Sequence, residues 1–586
     1  MSKKIKLTEE QIVAIEKYLR DGGTVRGAAR EVLGKESRES TIRAGISSGL
    51  LLGDGFSSEE VLVTDQLVEM LRLHEQDNVS FKNLSNMFGI SKPAVKRFFS
   101  KKTYKEFWES YNEKGIAAGE TKDPTHKRKV LSGKKYVITS AQNNTFVHDK
   151  FLKSLLQYCD ENDAEFLVST FHYNKNGFQN GSDKEVWFDP KIREYIVDES
   201  CLIGQDLVFS AELNILPTAV NPLSGLQNYT NKMSAIVPHA KLQLESLPTP
   251  KHEPAKLMYT TGTVTQRNYV QMKAGQKAEH NHVFGALVVE VDDDNTWFVR
   301  QLVAESDTGC FYDLDKYYTP KGCSSGYRVE AINWGDVHAA KLDMVVAETS
   351  WGDSEESMVS CLKPKYLFLH DIFDHKMRNH HNIKDPYFMF KMYTNGTESV
   401  ESEVLLTTKV IEDMISKCEK VVVVSSNHDL ALERWLKEQN YKTDPVNALF
   451  FLQMQYLNYK SMEQGIELET FKTACNLVNP KTKEVTFLKE DESFLICEDI
   501  ECGQHSHSGN NGSRGSVRAF QMQGGRFNIG HSHSANIKDG VYQAGVSGKL
   551  DMGYNKGGSS WSHSHIITYQ NGKRCIVTLK DGKWKA

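Results

Sequence analysis

Twelve of the 20 histidines in this 586-residue chain lie between His338 and His565, several of them in HSH triplets. Imidazole clustered in this way points to metal. Carboxylates and an amide accompany it in short blocks: Asp336 and His338 in GDVH, Asp371 and Asp374 in HDIFD, Asn427, His428 and Asp429 in SSNHD, His505 in CGQHSHSG, and His531 with His533 in GHSHS. Such a set suits phosphodiester hydrolysis, which needs a nucleophile made at neutral pH and a clamp on the developing charge. Two divalent metals about 3.5–4 Å apart provide both. Holding that pair takes a bridging carboxylate with imidazole, carboxylate and amide-oxygen ligands drawn from several loops.

Elements must bring these blocks together. From Val329 the chain runs in apolar stretches that each end in a polar cluster: VEAINWGDVH, KYLFLHDIFD, KVVVVSSNHD and FNIGHSHS, with helical stretches between the first three. An α/β sandwich carries ligands on loops at the C-terminal ends of its strands, where several loops converge. The segment IITYQNGKRCIVTL reads as a hairpin with an Asn-Gly turn that finishes the sheet.

The order DxH, GDxxD, GNHD, H, GHxH resembles the signature of the calcineurin-like metallophosphoesterases, and the form DIFD is similar to the variant in SbcD-type nucleases. The resemblance covers about 240 residues. It implies an α/β sandwich of the metallophosphoesterase type over residues 327–586. It also implies two divalent ions, manganese by analogy with SbcD-type nucleases. Asp336, His338 and His533 would hold one metal and Asn427, His505 and His531 the other. Asp371 would bridge both, with a water or hydroxide that attacks phosphorus. His428 would protonate the leaving oxygen or stabilise its charge, and Asp374 would orient His428. Two positions depart from the family pattern: His370 replaces the glycine before Asp371, and Ser426 the glycine before Asn427. QHSHS offers both His505 and His507; the family order favours His505.

Other histidines have plainer readings. His563 and His565 alternate along a strand after the last motif and read as half-exposed sheet residues. His375, His380 and His381 suit either a substrate phosphate or an exposed loop. His280 and His282 stay unassigned. Arg514 and Arg518, in GNNGSRGSVRAF, fit a phosphate-binding loop as well as a flexible connection.

The rest of the chain bounds the function. Its length predicts more than one core, and its 39% hydrophobic and 25% charged residues are ordinary for a globular protein. The net charge of -5 carries no global argument for nucleic acid. Residues 1–125 read as short helices, with a helix-turn-helix in SFKNLSNMFGISKPAVKRFFSKKTYKEFW. Its second helix presents Lys92, Lys96, Arg97 and Lys101, a face suited to DNA phosphates; a helical bundle for protein contacts is the plainer reading. A polar linker ends near Lys134. Residues 135–325 read as an α/β domain of unknown role, with a helix near Val147–Cys159 and a hairpin turning at Asp293–Asn295. No apolar run of membrane length and no secretory leader is present. The ten scattered cysteines fit free thiols in a reducing cytoplasm.

These readings predict a metal-dependent DNA nuclease with DNA as partner, a homo-oligomer by resemblance. The whole layout resembles phage-encoded DNA-degrading proteins made early in infection, which would act on host DNA. The alternative is a phosphatase or cyclic-nucleotide phosphodiesterase with a regulatory helical region; a DNA-binding protein with a vestigial metal site is the third reading.

Overall fold

The computed structural model describes residues 7–20, 25–34, 42–43, 128–173 and 186–586. The chain forms two compact units, Met1–Thr125 and His126–Ala586. In the first, the helices Glu9–Arg20 and Val25–Glu31 close over a small core that includes Ile15, Leu19, Ala28 and Leu33. Lys92, Lys96, Arg97 and Lys101, with the expected helix-turn-helix, lie outside the described residues.

The second unit is a sandwich. A six-stranded sheet has the order Thr486–Phe487, Lys420–Val423, Tyr366–Leu369, Ala331–Asn333, Ser564–Thr568, Arg574–Thr578. Its first four strands are parallel, so the loops leaving them emerge on one edge. The last two form the antiparallel hairpin that the Asn-Gly turn predicts. On one face lie helices including Met344–Trp351 and Val400–Ile415, over a core built on Trp334, Leu367, Leu369 and Ile411. On the other lies part of an eleven-stranded sheet. Buried Asn528, in the strand Arg526–Ile529, donates across the gap to Asn333 Oδ1 (2.8 Å) and Thr568 Oγ1 (3.1 Å), fastening the two sheets beside the GDVH loop.

Residues 135–325 repeat this plan. Lys135–Gln142 runs parallel to Glu165–Phe171 and antiparallel to Gly285–Val291, which forms a hairpin with Trp297–Val303. Ala331–Asn333 has the same relations to Tyr366–Leu369, Ser564–Thr568 and Arg574–Thr578. The helix Asp149–Asn162 covers the outer face of this four-stranded sheet.

The eleven-stranded sheet reads alike outward from its middle. Leu244–Leu247 is antiparallel to Lys256–Thr260, which is parallel to Ser234–Val237, which is parallel to Leu207–Ser210, itself antiparallel to Ser200–Ile203. Asn536–Lys538 begins the matching series: antiparallel to Val541–Gln543, then parallel to Arg526–Ile529, parallel to Ile500–Glu501 and antiparallel to Leu495–Ile496. The two series meet where Leu244 pairs with Ile537. The unit therefore holds two halves of equivalent topology, sharing one sheet and one buried core in which Leu244, Tyr259 and Leu287 join Ile537, Ile566 and Ile576. The sequence suggests a boundary near residue 325; across it the strands pair with partners about 300 residues away, which no local pattern announces.

Candidate metal centre

Four of the histidine and carboxylate blocks follow strands directly. GDVH leaves Ala331–Asn333, HDIFD leaves Tyr366–Leu369, SSNHD leaves Lys420–Val423 and GHSHS leaves Arg526–Ile529; His505 follows Ile500–Glu501. The loops are tied to one another by main-chain bonds. His338 N–H donates to the Asp371 carbonyl (2.9 Å), Val337 N–H to His370 (2.9 Å) and Gly530 N–H to His505 (3.2 Å). Glycine is required at position 530, because a Cβ there would stand 2.3 Å from Asp336 Oδ1.

Two groups of side chains converge. Asp336, His338, Asp371 and His533 bring ligand atoms within 4.8 Å of one another, as do Asp371, His505 and His531, and Asp371 belongs to both. His338 Nε2 and His533 Nε2 face each other at 3.0 Å, and His533 Nε2 lies 3.1 Å from Asp336 Oδ2. His505 Nε2 approaches Asp371 Oδ2 at 3.1 Å. These approaches lack hydrogen-bond alignment at several atoms. Both Asp336 oxygens, Asp371 Oδ1, His505 Nε2, His531 Nδ1 and His533 Nδ1 are buried without a hydrogen-bond partner. Buried polar atoms are almost always satisfied, and orphans gathered among these side chains fit divalent cations. Buried groups of His and Asp here can hold metal ions.

Backbone strain marks the same residues. His338, Asp371, His531 and His533 all have left-handed φ, at +49°, +43°, +75° and +60°. Each such non-glycine residue costs on the order of 1–3 kcal/mol, tolerated where surrounding structure enforces it.

Electrostatics agree with a site for positive charge. Burial would raise the Asp371 carboxyl, yet the charges of His505, His428 and His338 hold it well below the usual range. Burial would lower His505, but Asp371 and Asp336 lift it to about 9. His531, beside that imidazolium, is held near 4 by burial and by His505.

Asp374 meets His338 through its side chain and His428 through its main chain. Asp374 aims its carboxylate at His338 instead of His428: Oδ1 accepts from His338 Nδ1 at 2.9 Å, while Oδ2 accepts from Ala340 N–H. Only the Asp374 main-chain carbonyl meets His428, 3.3 Å from its Nδ1. The group His338, Asp374, His428 is thus an orienting arrangement, in which a carboxylate fixes the ring that presents Nε2 to the centre. Asn427 is exposed. The tight turn into the helix Leu430–Glu438 buries Asp429 instead, with Oδ2 accepting from Ser426 N–H and the carboxyl pushed to about 8 by burial and the Asp371 charge.

Further histidines lie outside the two groups. His565 is fully buried, against the half-exposed reading, and its Nδ1 accepts from Gly335 N–H while Nε2 meets Ser350 Oγ; it braces the GDVH loop. His375 is buried between Phe373 and Trp435, and His381 reaches the cleft wall. His282 bonds Tyr269 Oη and the Thr265 carbonyl. In the other half, His239 follows its strand as His531 follows its own, but both its nitrogens are bonded, to Lys241 N–H and the Leu216 carbonyl. Among the described residues, all three candidate groups lie in residues 327–586.

The centre opens on a cleft of about 560 Å³, into which Lys341, Lys376 and Arg514 also face; Arg518 does not line it. Motif order alone did not point to Lys341, Lys376, Tyr554 or Trp561, and only their place in the cleft identifies them.

Among known proteins, Protein A1 of Escherichia phage T5 is 43% identical over 486 residues, which is 81% of this chain and 87% of the relative. No family model matches the chain, and no solved structure matches it. No helix among the described residues is long and apolar enough to cross a membrane.

Proposed function

We propose that this chain, which belongs to the family of Protein A1 of phage T5, is a metal-dependent nuclease that hydrolyses DNA phosphodiesters. The observation that carries the reading is a buried carboxylate, Asp371, common to two ligand groups in which Asp336, His505, His531 and His533 also have orphaned oxygen or nitrogen atoms. The motif resemblance to calcineurin-like phosphoesterases supports the same chemistry. A phage-encoded relative is consistent with a phage origin and with host DNA, in the host cytoplasm, as the target.

Asp336, His338, Asp371 and His533 would hold one ion and Asp371, His505 and His531 the second, with manganese the metal we favour. Ions there supply a nucleophile at neutral pH and neutralise charge on phosphoryl oxygens. The chain's own residues do the rest. Asp374 fixes His338, and His565 fixes the loop before it. Lys341, Lys376 and Arg514 make the cleft attractive to a phosphate chain. His428 lines the cleft; with both ring nitrogens protonated it would donate Nδ1–H to the Asp374 carbonyl and pass its Nε2 proton to the departing oxygen.

The test is digestion of supercoiled plasmid by purified protein with manganese, beside an Asp371→Asn variant and a chelated control. The expected result is loss of supercoiled DNA only with metal and intact Asp371. Intact plasmid with cleavage of a small chromogenic phosphodiester would move the substrate to small molecules. Full activity of Asp371→Asn would overturn the site itself.

A further inference from the structure

The mouth of the metal centre carries two aromatic rings that no part of the hydrolytic chemistry requires. Trp561 stands with its ring centroid 4.2 Å from that of His533, nearly perpendicular to it, so it touches the ligand cluster directly. Tyr554 follows at 5.8 Å from Trp561, its ring inclined 64° to the indole. Both line the cleft, and Tyr554 remains 51% exposed despite its size. Lys341 Nζ lies 4.6 Å from the centre of the Tyr554 ring, placing a cation between the aromatic wall and Asp374.

The loop that holds these rings is fastened. Thr249 and Ser559 exchange main-chain hydrogen bonds (3.0 and 2.8 Å), Ser246 Oγ donates to the Ser560 carbonyl (2.6 Å), and Ser534 Oγ meets Ser560 Oγ (2.8 Å). Two of those anchors, Ser246 and Thr249, come from the half that has no candidate metal group among its described residues, so that half holds the aromatic wall against the metal centre.

Resting on the nuclease reading, we infer that Trp561, flanked by Tyr554, presents a stacking face for a nucleobase adjoining the scissile phosphate. The substrate is then a nucleic-acid strand whose base at that step is unstacked, in a single strand, a frayed end or a distorted duplex. Aromatic faces bind any base, which suits cleavage without sequence preference, and cations beside them take the flanking phosphates.

The test uses the full-length protein with manganese and a single-stranded oligothymidylate carrying a short central run of abasic sites. Cleavage inside the run is compared with cleavage outside it on the same molecule. Wild type should cut inside the run about tenfold less efficiently. In Trp561→Ala that disparity should shrink toward equality, and Trp561→Phe should restore most of it. Tyr554→Ala, at an exposed position, should reduce the disparity partway and serves if Trp561→Ala does not fold. Uniform cleavage across the run by wild type, or an undiminished disparity in both alanine variants, would overturn the stacking face while leaving the nuclease. Absence of any DNA cleavage by wild type would remove the nuclease reading and this inference with it.

Discussion

Asp374 and His338 show how a single contact sets the behaviour of the centre. The 2.9 Å bond from His338 Nδ1 leaves Nε2 pointing at His533 and the cluster, and Asp374 receives a second bond from Ala340 N–H. Carboxylate partners of this kind fix ring orientation and basicity. Asp374→Ala should therefore weaken metal binding about 10–100-fold, read by metal titration, with little change in the far-UV spectrum. An unchanged affinity would show that His338 needs no such partner. Elsewhere, buried neutral imidazoles make a different prediction. Burial holds His282 near 3 and His239 near 4, both below the unfolded value of about 6.5. The unfolded chain binds those protons first, so the stabilisation is complete above about 6.5 and is lost as pH falls toward 4. At about pH 5 the His282 contribution to that loss is on the order of 2 kcal/mol. Thermal melts of metal-free protein across this range should steepen in acid, and His282→Asn should flatten the slope.

At the scale of elements, the site depends on how closely a strand end approaches a loop from the facing sheet. Arg526–Ile529 ends at Gly530, whose missing side chain makes room for Asp336. Gly530→Ala forces that carboxylate or the backbone to move, and overpacking of this kind costs about 1–3 kcal/mol. The expected outcome is a lowered melting temperature together with reduced metal content. A variant that binds metal normally would mean the approach is looser than 2.3 Å implies.

The unit His126–Ala586 is more than a half with candidate metal groups and an appendage. Residues 128–325 and 327–586 share the eleven-stranded sheet and a core in which Leu244 and Tyr259 pack with Ile537 and Ile566. Residues 327–586 produced alone would expose the edge of Asn536–Lys538 and half of that core. They should lack a cooperative thermal transition, whereas residues 128–586 should melt as one unit. Independent folding of the shorter piece would show that the shared sheet contributes little. The equivalent topology of the halves also bears on function. One carries the candidate metal groups among the described residues, and the other contributes Ser246 and Thr249 to the loop beneath the aromatic wall.

Much of the site was legible in the sequence, because ligand identity and its place after an apolar run are local properties. Asp336, His338, Asp371, His505, His531 and His533 could each be named from their blocks, and the structure gathers all six. The hairpin at residues 292–296 and the helix Asp149–Asn162 were equally local. What no local pattern carried was which atom faces which. Asp374 turns to His338 because two loops from neighbouring parallel strands fix its direction, and Asn427 is exposed while Asp429, two residues on, is buried. The repeated topology was hidden because it resides in strand pairing over hundreds of residues rather than in side-chain identity. The aromatic wall was hidden because Trp561 reaches His533 only after a loop is clamped by the other half. Residue type and spacing determined which side chains are available to hold metal; long-range packing alone decided which groups orient them, which stay in solvent, and what stands at the entrance of the cleft.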